Sequence, residues 1–424
     1  MAITPERSHR LGAVESAFAT LPDRYLGADP GFDATYHIKL TDLGHIWEVR
    51  CTAHGARVRK GATRRRPDVT ICTDAGTWLA LRQGDMSGID AFEQRRLTVS
   101  GNLDYAVGFE GLFRLPGGRP PLLQIHDVPV GRHHISALTM GHGPDVLLLH
   151  GLGGTRASLF ATAAALSQRY RVHAVDLPGF GSSSKPARAP YNARWYAETM
   201  FAFMDAQGIA ETDLVGNSMG GRIAIEMGLM DPERIRSLGL LCPAVAWIRR
   251  GFHPVVRLLR PEFGLLPHGF TRNTVAAQFW SLFCDRDLID PEVGELMVDE
   301  FRRIYHSAGA RLAFLASARN IYLEAPYGRN GFYPRLSELR PPALFVWGTH
   351  DGLVPAAFGR HVAKWLPSAE QVTIDACGHV PQVERPEETN DLLLRFFAGS
   401  EISLAAPPAR PDGGGEKVRR IRAA

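Results

Sequence analysis

The sequence predicts an α/β chain: a mostly parallel sheet carrying a helical insert, preceded by a smaller α+β domain. Three observations carry that prediction. Beyond residue 121, short apolar runs of strand length alternate with helical stretches. One connection, Gly216-Asn217-Ser218-Met219-Gly220, follows the apolar strand end Asp213-Leu214-Val215 and opens into Gly221-Arg222-Ile223-Ala224, holding a serine out on a tight strand–turn–helix bend. Before residue 114 the pattern differs, with a meander of alternating strands and then short helices. The Pro- and Gly-rich stretch from Arg114 to Pro121 reads as the linker between the two patterns.

A chain of 424 residues suits two or three domains. Apolar residues make up 45% and charged residues 22%, the balance of a globular protein. The net charge of +4 is too mild to point to a nucleic-acid partner. The five cysteines, Cys51, Cys72, Cys242, Cys284 and Cys377, are odd in number and widely spaced, so neither a disulfide framework nor a zinc site is expected. A reducing, cytoplasmic setting with no metal or cofactor is the expectation that follows. The first ten residues lack a signal-peptide apolar core, and no apolar run reaches the roughly 18 residues a membrane helix needs.

In the first domain, Tyr36 to Leu40, Ile46 to Cys51 and Asp68 to Thr73 read as strands. A helix from Ala75 to Arg82 stops at Gly84, and a second helical segment runs from Gly88 to Glu93. The strand Leu97-Thr98-Val99-Ser100-Gly101 leads into a last helix, Leu103 to Phe113. Six of the ten residues from Arg57 to Arg66 are basic, which reads as a solvated hairpin with Gly61 at its turn or as a patch for anionic lipid headgroups. The stretches Pro67 to Ile71, Leu79-Ala80-Leu81-Arg82-Gln83-Gly84 and Leu97 to Leu103 together resemble the sterol carrier protein type 2 family over residues 20 to 114. The resemblance implies a lipid-binding domain at 1–114 with a lipid ligand in an apolar tunnel and no catalytic residues. Arg95-Arg96 departs from the Gly-Lys common in that family.

In the second domain, Leu123 to Val130 and His134 to Leu138 read as a strand pair, and Val146 to Leu149 as a buried strand. His150-Gly151-Leu152-Gly153-Gly154 follows it, a loop whose glycines let backbone approach a substrate oxygen. Asp176 to Ser183 is a further loop, after a further strand. A serine needs a histidine base, and the histidine needs a carboxylate to fix its tautomer. Asp351 lies just past the strand Ala343 to Trp347, and His379 just past the strand Gln371 to Asp375, both at carboxyl ends of strands. Asp375 competes with Asp351 but falls inside its strand. Pro386 to Phe397 reads as a closing helix.

These five motifs, in this order, resemble the α/β-hydrolase superfamily over roughly residues 121 to 400. The resemblance implies an α/β-hydrolase fold at 122–400, with a mostly parallel eight-stranded sheet and a helical lid at about 243–340. It further implies Ser218 as nucleophile, His379 as general base and acid, Asp351 as orienting carboxylate, and the N–H groups of Met219 and Leu152 as the oxyanion hole. His150 shapes the oxyanion loop, and Asp176 braces its own loop. The lid region holds Trp247, Phe252, Phe263, Leu265, Leu266, Phe270, Phe279, Trp280, Phe283, Phe314 and Tyr322, some of which would line an apolar acyl pocket.

Residues 115–121 are taken as a linker and 401–424 as a flexible tail ending in basic residues, with a weak peripheral membrane contact as the sharper reading of that end. The expectation is a serine hydrolase of lipid or ester small molecules. Two alternatives stay open: a carbon–carbon bond hydrolase of ring-fission products, whose elbow is also Gly-Asn-Ser-Met-Gly-Gly, and a non-catalytic lipid-binding protein.

Overall fold

The computed structural model describes residues 5–247, 260–265, 271–305, 307–405 and 418–421. The chain divides into two compact units after residue 125.

The first unit contains α1 (Pro5–Ala19), β1 (Asp33–Leu40), β2 (His45–Thr52), β3 (Gly55–Lys60), β4 (Val69–Thr73), α2 (Ala75–Gln83), α3 (Gly88–Glu93), β5 (Leu97–Gly101) and α4 (Leu103–Gly111). Its sheet runs β3-β2-β1-β4-β5, antiparallel except where β1 meets β4. Side-chain caps set the helix starts: Asp74 accepts from Thr77 N, Ser87 and Asp90 form a capping box, and Asn102 accepts from Tyr105 N. Gly84 ends α2 at φ 79°.

Helix α1 is absent from the sequence reading, because its polar composition shows little apolar periodicity. It is held by Val14 and Phe18, both buried; the Phe18 ring stacks between Trp47 and Trp78 at 4.6 and 4.5 Å. The basic hairpin also differs from expectation. The turn between β2 and β3 falls at residues 53–54, and Gly61, at φ 88°, lies just beyond β3. All six basic side chains are exposed, on or beside an edge strand, where charge discourages further strand pairing. The stretch read as a linker is folded onto this unit: Leu115 is buried, and Arg119 donates to the Gln83 carbonyl at the end of α2.

The second unit contains β6 (Leu123–Val130), β7 (His133–Met140), β8 (Asp145–Leu149), α5 (Phe160–Ser167), β9 (Arg171–Val175), α6 (Ala193–Ala206), β10 (Thr212–Asn217), α7 (Met219–Met230) and β11 (Ile235–Leu241). An insert with α8 (Arg272–Trp280), α9 (Pro291–Ile304), α10 (Ala308–Tyr322) and α11 (Phe332–Leu336) follows. Then come β12 (Ala343–Gly348), α12 (Gly359–Trp365), β13 (Glu370–Ile374), α13 (Pro381–Glu384), α14 (Pro386–Ala405) and β14 (Val418–Ile421). The sheet order is β14-β13-β12-β11-β10-β8-β9-β7-β6, parallel from β9 to β14. Strands β10 and β12 are buried at every position, as strands covered on both faces must be, which is why they read as continuous apolar runs.

Among the described residues the sheet has nine strands, not eight. The ninth, β14, lies in the stretch read as a flexible tail, and α14 carries the chain to Ala405 within that same stretch. The Pro- and Gly-rich composition gives no sign of this strand, which pairs with β13, otherwise an open edge whose free N–H and C=O groups accept a further strand. Phe252, Leu266 and Phe270 lie outside the described residues.

Candidate active site

Ser218 stands between β10 and α7 with φ 52° and ψ −113°, a conformation that side-chain-bearing residues avoid. Backbone bonds hold it there: its N–H donates to the Leu241 carbonyl at 2.9 Å, and its own carbonyl accepts from Arg222 N and Ala244 N. The bend leaves no room for Cβ atoms beside it. One added at Gly216 would lie 2.5 Å from the Gly220 backbone, and one at Gly220 would lie 2.1 Å from the Leu149 carbonyl.

The structure brings Ser218, His379 and Asp351 together. His379 Nε2 is 2.8 Å from Ser218 Oγ, and its Nδ1 is 2.7 Å from Asp351 Oδ2. The other carboxylate oxygen of Asp351 accepts from the N–H groups of Leu353 and Val354, both at 2.8 Å. Asp351 and His379 are buried, so the pair is shielded from water. Asp375, at the end of β13, is not hydrogen-bonded to His379.

Leu152 and Met219 line the same cavity as Ser218. Gly151 lets their loop come close: a Cβ there would sit 2.9 Å from Asn217 Oδ1. The buried His150 accepts from Leu177 N through Nε2 and donates through Nδ1 to the Gly151 carbonyl, so it bridges two loops as a neutral ring, and burial lowers its pKa. Asp176 accepts from Arg156 N, Arg156 Nη1 and Ser182 N and braces the loop beneath.

Two residues that the sequence did not single out join the site. Cys242, at φ 44° after β11, places its thiol with Asp351 and His379 so that one potential ligand atom from each lies within 4.8 Å of the others. Burial and Asp351 push that thiol well up, which keeps it protonated, and the carboxylate and Nδ1 are already engaged with each other. Glu384 on α13 is the second. Its carboxylate accepts from Gly378 N at 2.6 Å, Cys284 N at 2.8 Å and Asp285 N at 2.7 Å. The His379 N–H also donates to the Leu282 carbonyl at 2.7 Å. The histidine loop and the insert are therefore fastened to one buried carboxylate. Its signal in the sequence was only a glutamate five residues after the histidine.

A cavity of about 400 Å³ opens at Ser218. From the insert, Trp247, Phe279, Phe301, Tyr305, Phe314 and Ile321 line it. Phe283 is buried elsewhere, and Phe263 is exposed at the surface. No Lys, Arg, Asp or Glu lines the cavity among the described residues.

Such a fold, with a nucleophile elbow, a histidine–carboxylate pair and an apolar cavity under an insert, defines a hydrolase of the α/β class. The alpha/beta hydrolase family model matches residues 146–392, and the chain belongs to that family. The SCP-2 sterol transfer family model matches residues 30–114, so the first unit carries a domain of that kind. The chain is 32% identical over 269 residues to the pimeloyl-[acyl-carrier protein] methyl ester esterase of Aeromonas hydrophila, covering 62% of this chain and 98% of the relative. It is 29% identical over 281 residues to the 2-hydroxymuconate semialdehyde hydrolase of Pseudomonas putida, covering 62% and 89%. Among solved structures, a bacterial membrane phospholipase A matches with a TM-score of 0.55 and 30% identity, over 66% of this chain and 87% of that one. The protein is thus an esterase-like hydrolase with an appended lipid-binding-type domain. No helix among the described residues is long and apolar enough to cross a membrane.

Proposed function

We propose that the protein cleaves neutral, apolar carboxylic esters through an acyl-enzyme, and that its first unit binds lipid and supplies or receives the acyl chain. The continuous chain of hydrogen bonds from Ser218 through His379 to Asp351, beside a cavity whose described lining is mainly apolar and holds no Lys, Arg, Asp or Glu, carries this reading. Ser218 Oγ attacks the ester carbonyl while His379 Nε2 takes its proton, and Asp351 stabilises the imidazolium. The Leu152 and Met219 N–H groups hold the oxyanion. His379 returns the proton to the departing alkoxide and then activates the water that releases the acid. The insert acts as the lid. The five cysteines stand as free thiols, which suits the reducing cytoplasm in which we place the protein.

The relative that acts on 2-hydroxymuconate semialdehyde makes carbon–carbon cleavage the rival reading. A muconate carries a carboxylate, and burying it calls for a cation, which the described cavity lining lacks. The phospholipase likeness and the SCP-2 domain both favour lipid esters.

A chain-length series of neutral esters with the full chain tests the proposal. Ser218→Ala should lower kcat by about 10⁴-fold or more, with labelling by a fluorophosphonate abolished. Full ester activity in Ser218→Ala would overturn the mechanism. Faster turnover of a ring-fission product than of any ester would transfer the assignment to carbon–carbon cleavage.

A further inference from the structure

The three catalytic groups do not hang from the same scaffold. The Ser218 N–H donates to the Leu241 carbonyl at the end of β11, and the Asp351 N–H to the Gly348 carbonyl at the end of β12. Both are therefore fixed by the sheet. The His379 N–H donates instead to the Leu282 carbonyl, at 2.7 Å, in the insert. Helix α8 ends at Trp280, and residues 281–285 follow it past the histidine loop. The Cys284 and Asp285 N–H groups share the Glu384 carboxylate with Gly378 N. The approach is tight: a Cβ at Gly378 would lie 2.3 Å from the Leu282 carbonyl oxygen and 2.9 Å from Cys284 N.

The same stretch of chain is a wall of the cavity. Phe279, Ser281 and Leu282 line it, beside Val380 and His379. Aromatic packing ties this wall to the rest of the insert. The Phe279 ring meets Phe283 at 5.0 Å and Phe301, on α9, at 5.5 Å. A Cβ at Gly294, also on α9, would lie 2.4 Å from the Trp280 ring. What presses on the wall thus presses on the support of the catalytic histidine.

We infer that Leu282 is a positioning and specificity-determining residue: an acyl chain that fills the cavity seats residues 279–282 against the histidine loop and sets the placement of His379. The inference rests on the reading of Ser218 as an esterase nucleophile. Binding energy from a remote, non-reacting part of the substrate then goes into orientation at the reacting centre, so a longer chain raises kcat and not only affinity. His379 moves a proton in acylation and again in deacylation, so its placement limits kcat whichever half-reaction is slower. A short acyl group leaves the apolar wall facing water, with nothing on the cavity side to seat it.

Steady-state kinetics on the full chain test this with esters of one phenol from acetyl to decanoyl, kcat and KM being taken separately. In the wild type, kcat for the decanoyl ester should exceed that for the acetyl ester by about tenfold or more. Leu282→Ala acts on the wall from the cavity side, and Glu384→Gln on its fastening, outside the cavity lining. Each should pull the kcat ratio below about threefold. Ile321→Ala trims the cavity from α10 instead, and should raise KM for the decanoyl ester while the kcat ratio stays within about twofold of wild type. A wild-type kcat that is the same for every chain length, with only KM falling, would overturn the inference and leave the ester reading intact. So would a ratio that survives Leu282→Ala, or one that Ile321→Ala flattens as strongly. A second readout needs no variant: with Ser218 capped by a decyl or a methyl fluorophosphonate, the proton between His379 Nδ1 and Asp351 should give a sharper, more slowly exchanging NMR line in the decyl adduct. Identical lines in the two adducts would overturn the inference. No turnover of any ester, together with no labelling of Ser218, would instead overturn the ester reading itself.

Discussion

Arg82 and Arg222 are two buried guanidiniums stacked on phenylalanine rings, and the two units treat them in opposite ways. Arg222, on α7, lies 4.9 Å from the Phe332 ring centre. Its Nε donates to Glu324 at 2.7 Å and its Nη2 to Glu226 at 2.9 Å, and Arg335 also bonds Glu226. Burial alone would lower the pKa of Arg222, but Glu324 and Glu226 outweigh it and raise it. Arg82 has only the neighbouring Glu110, with no hydrogen bond to it, and burial outweighs that partner and lowers its pKa to about 10. The difference teaches what each cation is for. Arg222 ties the helix that starts at Ser218 to the chain just past α10 and to α11, so its anions are built in. Arg82 rests on aromatic faces, with the buried Glu110 as a neighbouring carboxyl and no hydrogen bond between them.

The sharpest way to break this contrast is to remove charges at both sites and compare. Glu226→Gln should destabilise the second unit by about 3 kcal/mol, because it takes a carboxylate from both Arg222, which keeps Glu324, and Arg335. Arg82→Met should leave the ligand-free first unit unchanged or more stable. Unit-specific protection of strand amides, β10 and β11 against β1 and β4, measured by hydrogen exchange in the full chain, separates the two. A comparable loss of protection at both sites would mean that Arg82 is as structural as Arg222.

A third buried charge sharpens the comparison within the second unit. Glu384 is satisfied wholly by backbone N–H groups, one from the histidine loop and two from the insert. It is a positioning residue for His379. Glu384→Gln sets an amide NH₂ against those donors and loosens the loop. We expect kcat to fall about 10- to 100-fold on a good ester with KM little changed. Lowered thermal stability with kcat intact would reduce Glu384 to a structural fastening.

Much of the hydrolase site was legible because backbone geometry forces its residues. Gly216 and Gly220 are demanded by the contacts of 2.5 and 2.1 Å that a Cβ would make there, and a serine between them in a strand–helix bend has few other uses. Asp351 and His379 were legible as loop residues after strands, and the geometry places Asp351 rather than Asp375 on the imidazole. The unread parts depend on partners far apart in sequence. Arg222 finds Glu324 across 102 positions, and Glu384 finds Cys284 across 100. Helix α1 depends on two buried side chains, and β14 on a sheet edge that composition does not reveal. Arg82 was quoted as part of a helix motif, but nothing in Leu-Ala-Leu-Arg-Gln-Gly says that the arginine points inward.

The last test concerns Glu110, the group whose charge state decides how far Arg82 is compensated. Facing it are Arg82 from α2 and, from α3, Asp90 and the Gly88 N–H. Its folded pKa is raised to about 7 against an unfolded value near 4.3, so the folded unit holds the extra proton between those limits. Stability gained from that proton is present below about pH 4 and is lost as pH rises toward 7. Glu110→Gln should remove this slope, a difference on the order of 3 kcal/mol between pH 4.5 and 7.5, read as strand-amide protection in the first unit. Arg82 stays charged over that window, and the comparison of wild type with the variant isolates Glu110. A slope that is identical in both would mean that Glu110 is ionised in the fold. Arg82 would then have its anion at home, and the two arginines would no longer differ in kind.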